Sequence, residues 1–194
     1  MKGYISKDGA IGLRSSYGFK TKDITLIAFA AGLMAVCSWI SIPFAVPFTM
    51  QTFAVFASVG ILGGKRGSLA VAVYILLGAI GLPVFSGFSG GIGKLLGPTG
   101  GYIIGFLPMA VLAGAIIERY HNRFIQFSAM TAGMALCYIF GTIWFCIVMK
   151  TTVAAALSAC VFPFIPGDMI KIMIALTGGP ILKKRLQQAG ILGK

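Results

Sequence analysis

Six long apolar segments, separated by short stretches rich in glycine, proline and basic residues, dominate the sequence. They run approximately over residues 23–42, 51–64, 67–82, 101–118, 125–149 and 161–182. A helix needs about 20 mainly apolar residues to cross the hydrocarbon core of a bilayer, so the second and third segments are short for a perpendicular span. The pattern predicts an all-α integral membrane protein with six transmembrane helices.

The amino-acid composition also indicates a membrane protein. Of the 194 residues, 58% are hydrophobic and only 10% are charged, whereas soluble domains carry about 25% charged residues. The formal net charge of +12 could suggest a nucleic-acid partner. The basic residues lie at the ends of the apolar segments, however, and in a membrane protein that distribution reports topology. We therefore expect contact with a lipid bilayer and none with nucleic acid.

The basic residues fall mainly on one side when the six segments are threaded alternately through a membrane. Thirteen of the sixteen share that side: Lys2, Lys7, Arg14, Lys20, Lys22, Lys65, Arg66, Arg119, Arg123, Lys183, Lys184, Arg185 and Lys194. Because cytoplasmic loops carry an excess of Lys and Arg, both termini are predicted to be cytoplasmic. We expect one membrane domain, 1–194, with a cytoplasmic N-terminal tail (1–22), a six-helix core (23–185) and a cytoplasmic C-terminal tail (186–194).

Asp168 and Lys171 are two ionisable residues inside the otherwise uncharged stretch Val161–Leu182. One charged side chain near the middle of a spanning helix costs roughly 2.5–3.5 kcal/mol on insertion scales. Residues at i and i+3 share one helical face, so the carboxylate and the ammonium can partly neutralise each other and point at one target. A structural ion pair that fixes helix packing is one interpretation. A recognition site for a small polar group is the other, and intramembrane ionisable residues are usually functional.

Three connections lie on the predicted outer side: Ser41–Met50, Pro83–Gly100 and Lys150–Ala159. Two prolines prevent a continuous helix in the first. The second is rich in glycine but poor in polar side chains, which favours a loop that folds back against the helices rather than a flexible linker. Asp168 follows Pro166 and is expected in the first turn of the last helix, where the helix dipole favours a carboxylate. The loops and the ion pair therefore predict one outward-facing pocket.

A serine in Gly87–Gly91 matches the GxSG and GxSxG patterns of serine hydrolases, and the first pattern resembles the rhomboid intramembrane proteases. That chemistry needs a histidine or lysine base within hydrogen-bond reach of the serine. The only histidine, His121, lies in the predicted cytoplasmic turn on the opposite side of the membrane. Lys94 is near in sequence, but the serine lies in a glycine-rich loop rather than on a helix. We expect no catalytic residue, and we expect that the protein is not an enzyme.

Nucleotide, metal and redox sites are not expected either. Neither Gly64-Lys65 nor Gly93-Lys94 has the upstream glycine and the following Ser or Thr of a Walker A motif. The four cysteines are dispersed through apolar segments without a CxxC pair, which indicates small packing residues rather than metal ligands. The sequence thus predicts no cofactor, no metal site and no ATPase activity of its own.

Small residues recur at i, i+4 spacing along the first segment, as Ala28 with Gly32 and Ala31 with Ala35. Such faces allow close approach of helices in lipid. The pattern fits packing within the protein and equally fits a surface that docks a partner, so both interpretations stay open.

Several short motifs in combination resemble one known family. They are Ile42-Pro43, Val46-Pro47-Phe48-Thr49-Met50-Gln51-Thr52-Phe53, Leu62-Gly63-Gly64-Lys65-Arg66-Gly67, Gly81-Leu82-Pro83-Val84-Phe85, Gly97-Pro98-Thr99-Gly100-Gly101-Tyr102 and Pro166-Gly167-Asp168-Met169-Ile170-Lys171. Together they closely resemble BioY, the biotin-specific substrate-binding (S) components of energy-coupling factor (ECF) transporters. The resemblance covers about residues 24–185 and leaves the N-terminal 20 residues outside.

This resemblance implies a six-helix subunit of a prokaryotic cell membrane with an externally accessible, high-affinity biotin site. Its implied partners are a transmembrane coupling (T) subunit and two cytoplasmic ATPases. In the family, an aspartate and a lysine of the sixth helix contribute to biotin binding, and they correspond to Asp168 and Lys171. The further expected ligand-binding residues are Gln51, Phe85, Gly90, Gly91 and Tyr102. The family's docking surface on the first helix corresponds to Ala31 and Ala35 or to the Ala28–Gly32 register.

The chemistry of biotin fits these residue types. Its ureido ring has two N–H donors and one carbonyl, beside an apolar thiophane ring and a carboxylated chain. Asp168 could accept from the ureido N–H groups while Lys171 donates to the carbonyl, although Lys171 could instead meet the carboxylate. Amides of the glycine-rich loop could reach other polar atoms, and Phe85 could cover the thiophane ring.

An autonomous secondary transporter of a small polar molecule is the competing function, with Asp168 and Lys171 as an ion or proton relay. Such transporters often carry internal repeats and several intramembrane charges. The sequence shows neither, which favours a substrate-binding subunit that depends on partner ATPases.

Overall fold

Eight helices and one short hairpin form the part of the chain that this computed structural model describes, residues 21–192. In chain order the elements are α1 (Thr21–Trp39), β1 (Ser41–Ile42), β2 (Phe48–Thr49), α2 (Gln51–Leu62), α3 (Gly64–Ala79), α4 (Ile92–Leu96), α5 (Gly100–Arg119), α6 (Arg123–Met149), α7 (Val153–Cys160) and α8 (Ile165–Gln188). The six predicted segments correspond to α1, α2, α3, α5, α6 and α8. Of the predicted tails 1–22 and 186–194, residues 1–20 and 193–194 lie outside the described residues, whereas 21–22 belong to α1 and 186–188 to α8.

Within residues 21–192, four helices are long and apolar enough to cross a membrane, namely α1, α5, α6 and α8. Helix α2 has 12 residues and α3 has 16, so at 1.5 Å per residue they are roughly 18 and 24 Å long. Both are shorter than the ~30 Å hydrocarbon core, as the sequence predicted. The all-α, multi-pass membrane architecture is confirmed.

The surface of the bundle carries many exposed hydrophobic side chains. Large hydrophobic side chains stand exposed along several helices, including Phe29 on α1, Leu76 on α3 and Ile147 on α6. A soluble protein rarely exposes contiguous apolar patches of this kind, because the contact with water is unfavourable. These faces therefore fit contact with lipid.

Two short helices interrupt connections that the sequence analysis treated as loops. Helix α4 occupies Ile92–Leu96 of the glycine-rich connection, and α7 occupies Val153–Cys160, most of the third outer connection. Thr152 caps α7, since its Oγ1 accepts from the backbone N–H of Ala155 at 3.4 Å, and this is a preferred residue type for helix N-caps.

The glycine-rich connection does fold back on the bundle. The indole N–H of Trp144 donates to the carbonyl of Gly97 at 3.0 Å, and that of Trp39 donates to Pro83 at 2.9 Å. The backbone N–H of Gly91 donates to the carbonyl of Gly78 at 2.7 Å. These bonds satisfy backbone groups that water would otherwise have to reach, so the predicted packed loop is confirmed.

Helices α5 and α6 form the most extensive helix pair, and small residues let them approach closely. A side chain at Gly101 would overlap Trp144, and one at Gly141 would overlap the ring of Tyr102. Small residues at such contacts are the usual solution in lipid, where close van der Waals packing drives helix association. The contact fixes Tyr102 between the two helices, and its hydroxyl is within 3.3 Å of Thr142 Oγ1.

A hairpin and the starts of α2, α5 and α8 meet at one end of the bundle. In the hairpin Ser41 pairs with Thr49 and Ile42 with Phe48, and both prolines of the connection lie in its turn. We call this the Asp168 end. The opposite end, where α6 begins and α8 finishes, we call the Arg123 end.

Candidate functional site

The centre of the Asp168 end is the ion pair that the sequence predicted. Helix α8 begins at Ile165 with Pro166 in its first two positions, and Asp168 lies in its first turn. Proline is well suited to the start of a helix because its missing N–H would have no intrahelical partner there. The Nζ of Lys171 lies 2.9 Å from Asp168 Oδ1, and the two residues are only 4% and 3% exposed.

Two neighbouring helices complete the surroundings of the Asp168 carboxylate. Thr52 of α2 donates its hydroxyl to Oδ1 at 3.0 Å. Tyr138 of α6 donates its hydroxyl to Oδ2 at 2.5 Å. Hydrogen bonds to a charged acceptor are shorter and stronger than neutral ones, so this network stabilises the ionised carboxylate in an apolar wall.

The ammonium of Lys171 is fully engaged. Besides Asp168, it donates to the carbonyl of Thr49 at 2.6 Å and to Thr52 Oγ1 at 3.2 Å. Its Nζ also lies 3.6 Å from the centroid of the Phe48 ring, a cation–π distance. A lysine has three N–H donors, and three acceptors already surround this one.

Phe48 is held in that position by its neighbours. A side chain at Gly167 would overlap the Phe48 ring, so the glycine beside Asp168 makes room for the aromatic cover. The ring of Phe164 lies 5.5 Å from that of Phe48, centroid to centroid, and 5.9 Å from that of Phe44. This aromatic cluster closes the Asp168 end over the ion pair.

A small cavity of about 60 Å³ lies next to the pair. Its wall comes from the hairpin, from the starts of α2, α5 and α8, from the middle of α6 and from Ser86 of the glycine-rich connection. Two buried polar atoms in this wall have no hydrogen-bond partner among the described residues, Nε2 of Gln51 and Oγ1 of Thr99. Such atoms are rare in native structures, and each requires an explanation. An acceptor, several donors and apolar walls together suit a compact ligand with an apolar body and polar edges.

The structure brings together four of the seven residues that the sequence proposed for ligand binding. Asp168, Lys171, Gln51 and Tyr102 all line this cavity. Tyr102 is buried between α5 and α6, so its side chain does not reach the surface of the protein.

The other three proposed residues do not line the cavity. The ring of Phe85 packs edge-on against Tyr74, with centroids 5.5 Å apart, and lies in a slot opened by Gly78. A side chain at Gly90 would overlap the carbonyl of Leu82. Gly91 has a φ of 91° and leads into α4. These glycines serve the fold of the connection, and the expectation that Phe85, Gly90 and Gly91 surround the pocket does not match this structure.

The site also contains four residues that were not predicted from the sequence: Phe48, Thr49, Thr52 and Tyr138. Thr52 and Phe48 lie in a motif that was recognised, next to Gln51, and so could have been included. Tyr138 carries the only phenol of α6, a polar group in the middle of a long apolar helix. That polarity was the available signal. Its contact with Asp168 spans 30 residues of sequence, which a local pattern does not reveal.

The two candidate docking registers on α1 have opposite surroundings. Ala31 and Ala35 are buried, at 1% and 7% exposure, where α1 packs on α2 and α3. Ala28 and Gly32 are exposed, and a side chain at Gly32 would meet no atom within 4 Å. Ala31 and Ala35 thus form the internal face, and the expectation that they form a free docking surface was wrong.

Metal binding has no support in the described chain. No group of three or more His, Cys, Asp or Glu side chains in residues 21–192 is placed to hold a metal ion. The four cysteines in that range are free.

Comparison with known proteins identifies relatives of this chain and a solved structure with a similar fold. The chain is 42% identical over 153 residues to the biotin transporter BioY of Thermotoga maritima, covering 78% of this chain and 90% of that protein. It is 39% identical over 169 residues to the probable biotin transporter BioY of Pyrococcus horikoshii, covering 87% and 98%. A crystal structure of the S-component for biotin from an ECF-type ABC transporter superposes with a TM-score of 0.78 at 28% identity, covering 86% of this chain and 95% of that one.

The family match reaches further than the recognised motifs. The sequence model of the BioY family matches residues 11–188, so part of the N-terminal stretch that the motifs left outside falls within it. By family match, by similarity to its relatives and by fold, the chain belongs to the BioY family.

Proposed function

We propose that this protein is the high-affinity biotin-binding subunit of an ECF-type vitamin uptake transporter. The observation that carries the proposal is the buried Asp168–Lys171 pair, satisfied by side chains of α2 and α6 at the wall of a cavity in a family of proteins named biotin transporters. Buried ionisable groups in a membrane segment are functional by default. The site is proposed to consist of Asp168, Lys171, Gln51 and Tyr102, with Thr52, Tyr138 and Thr99 added.

The polar groups differ in what they can still offer to a ligand. A carboxylate has about four lone-pair positions, and Asp168 uses three of them for Thr52, Lys171 and Tyr138. Lys171 has no spare donor. A ureido N–H can therefore reach Asp168 without displacing a partner, whereas a ligand oxygen must replace one contact of Lys171. Gln51 Nε2 is a free donor for the ligand carbonyl or carboxylate.

The small volume of the cavity implies that biotin enters by displacing part of the wall. Ligand pockets for drug-sized molecules typically enclose about 300–1,000 Å³, far above the 60 Å³ here. The hairpin residues Val46–Thr49 form the longest non-helical segment of the wall, which also includes Ser86 of the glycine-rich connection. Their movement, with Phe48 leaving Lys171, is the smallest change that opens the site.

Transport is proposed to require partners, because binding alone moves nothing across a membrane. The partners are a transmembrane T subunit and two ATPase subunits, and this chain is proposed to carry no cofactor and no nucleotide site. We propose one membrane domain in a prokaryotic cell membrane, crossing six times with both termini in the cytoplasm. The excess of basic residues at the Arg123 end supports this orientation.

The exposed register of α1, Ala28 with Gly32, is the proposed docking surface for the T subunit. Gly32→Trp should prevent co-purification with the T and ATPase subunits while biotin binding stays intact, because the bulky ring stands on an open face. The matched variant Ala31→Trp should instead unfold or destabilise the isolated protein. If Gly32→Trp still forms the complex, this face does not dock.

Calorimetry with biotin on the detergent-purified protein tests the binding function. We expect tight binding at a ratio of one to one. Asp168→Asn and Lys171→Ala should each weaken it at least tenfold, and Lys150→Ala, an exposed cation near the same end, should leave it unchanged. Absent or millimolar binding to the unaltered protein would refute the proposal.

A further inference from the structure

A second, larger cavity lies at the Arg123 end of the bundle. Its volume is about 450 Å³, compared with 60 Å³ at the Asp168 end. The wall is formed by the α2–α3 turn, the end of α5, the start of α6, the last turns of α8 and Leu192. Neither the ion pair nor any other residue of the proposed biotin site contributes to it.

Positive charge dominates the wall of this cavity. Three permanently basic side chains line it, Arg66, Arg123 and Lys183, against one carboxylate, Glu118. Oε1 of Glu118 accepts from the backbone N–H of Gly64 at 2.8 Å, so it already caps the start of α3. The cavity therefore has a surplus of cationic donors.

The basic side chains differ in how far other groups neutralise them. Arg66 forms a salt bridge with Asp23 at 3.0 Å. Lys183 has no hydrogen-bond or ion-pair partner in the described part of the chain. Arg123 bonds only a backbone carbonyl there. Lys183 and Arg123 thus keep their charge available to a ligand.

A backbone hydrogen bond missing from α8 holds Arg123 at the cavity wall. Pro180 lies inside the helix and has no N–H, so the carbonyl of Leu176, four residues earlier, loses its helical partner. The guanidinium of Arg123 donates to that carbonyl. A guanidinium has five N–H donors in a fixed plane, so one bond orients the group and leaves the other donors for an anion.

We propose that this cavity binds a phosphate group, with Arg123 and Lys183 as its main ligands. Phosphate accepts the planar donor pair of an arginine well, and a lysine adds a point charge. Basic pockets between membrane helices characteristically hold anionic lipid headgroups, and the phosphate diester of such a lipid carries the same chemistry as free phosphate. The proposal does not depend on what the Asp168 end binds.

Native mass spectrometry of the full-length protein in a non-ionic detergent tests the proposal, with phosphatidylglycerol and phosphatidylcholine as probes. We expect phosphatidylglycerol to bind more tightly, because the quaternary ammonium of phosphatidylcholine cancels the charge of its phosphate and is repelled by the basic wall. Lys183→Gln should weaken its binding about fivefold, since one basic residue near an anionic headgroup contributes ~1 kcal/mol. The matched control is Lys184→Gln, because Lys184 is an exposed cation on the next position of α8 and does not line the cavity. It should leave binding unchanged.

A parallel titration with inorganic phosphate distinguishes free phosphate from a lipid headgroup as the ligand. The quantity measured is the thermal unfolding midpoint. Stabilisation by phosphate that Lys183→Gln removes indicates a site open to free phosphate. Lipid preference without any phosphate effect indicates a headgroup site, and both results support the proposal. Equal binding of the two lipids, together with no effect of inorganic phosphate, would overturn the proposal. An equal loss of phosphatidylglycerol binding in Lys183→Gln and Lys184→Gln would also overturn it. Biotin binding by Lys183→Gln should be unchanged in every case.

Discussion

At the Asp168 end, a carboxylate and an ammonium lie beside a cavity of about 60 Å³ under an aromatic cover. At the Arg123 end, three basic side chains line a cavity of about 450 Å³ with one carboxylate among them. The first end brings its charges nearly into balance and gives each several partners. The second end leaves cations in surplus, and three of its four charged side chains, Glu118, Arg123 and Lys183, are exposed.

The difference follows from the surroundings of each charge. A buried ion loses its hydration, which costs several kcal/mol, and only close partners offset that loss. Asp168 and Lys171 are buried and accordingly share five hydrogen bonds with each other, Thr52, Tyr138 and Thr49. Arg123 and Lys183 are exposed, so water can hydrate them. Charged side chains therefore need several protein partners at the Asp168 end, whereas at the Arg123 end they remain available to bind a ligand.

Removal of one carboxylate from each end should produce the largest contrast. Asp168→Ala leaves Lys171 charged in an apolar wall and Tyr138 without its acceptor, so we expect a loss of about 3–5 kcal/mol in the free energy of unfolding. Glu118→Ala removes one hydrogen bond to Gly64 at an exposed site, with an expected loss of about 1 kcal/mol. Denaturant unfolding of both variants in one detergent measures the two losses. Similar values would show that burial does not distinguish the two ends.

Removal of the remaining charge should then restore stability at the Asp168 end alone. Starting from Asp168→Asn, the added Lys171→Met replaces an unpaired ammonium by an apolar side chain that can keep its contact with Phe48. We expect a gain of about 2 kcal/mol, because a neutral apolar replacement removes the desolvation penalty. Biotin binding should stay weakened, which separates the recognition role of the pair from its structural role.

The matched change at the other end is Lys183→Met. Lys183 is exposed, so the substitution should change the free energy of unfolding by no more than about 0.5 kcal/mol. Unfolding curves for these three variants and the unaltered protein supply both comparisons. A gain from Lys183→Met equal to that from Lys171→Met would contradict the assignment of burial as the cause.

The sequence revealed the ion pair but not its partners, and the reason is the range over which each signal acts. Two charges in a long apolar run are visible locally, as is the proline that starts α8. Thr52 and Tyr138 reach Asp168 from 116 and 30 residues away. Only the packing of α2 and α6 against α8 brings them together, and hydrophobic periodicity does not specify which neighbours a membrane helix chooses.

Two errors have the same physical origin. Phe85 looked like a ligand contact because it is an aromatic residue in a glycine-rich connection, but Gly78 on α3 opens a slot that its ring fills. Helix α1 offered small residues in two registers, and only its packing on α2 and α3 makes Ala31 and Ala35 the internal pair. In both cases the deciding contact lies on a different element.

The bond between Arg123 and Leu176 offers the smallest and most local test of the comparison. At the Asp168 end the two charged side chains pair mainly with each other and with hydroxyl groups, whereas here the side chain pairs only with a backbone carbonyl that Pro180 leaves free. Arg123→Met should cost about 1 kcal/mol, the typical net contribution of one hydrogen bond. Pro180→Ala alone should stabilise α8, because alanine restores the helical N–H and has the higher helix propensity.

The two changes together form a double-mutant cycle that isolates this bond. With Ala at position 180 the Leu176 carbonyl has a backbone partner, so Arg123→Met should then cost nearly nothing, and the coupling energy should be about 1 kcal/mol. Free energies of unfolding for the four proteins give this value directly. A cost of Arg123→Met that is the same in both backgrounds would mean that the guanidinium contributes to the Arg123 end by some route other than the carbonyl freed by Pro180. In that case its orientation toward the cavity would lose its structural basis, while the surplus of positive charge there would remain.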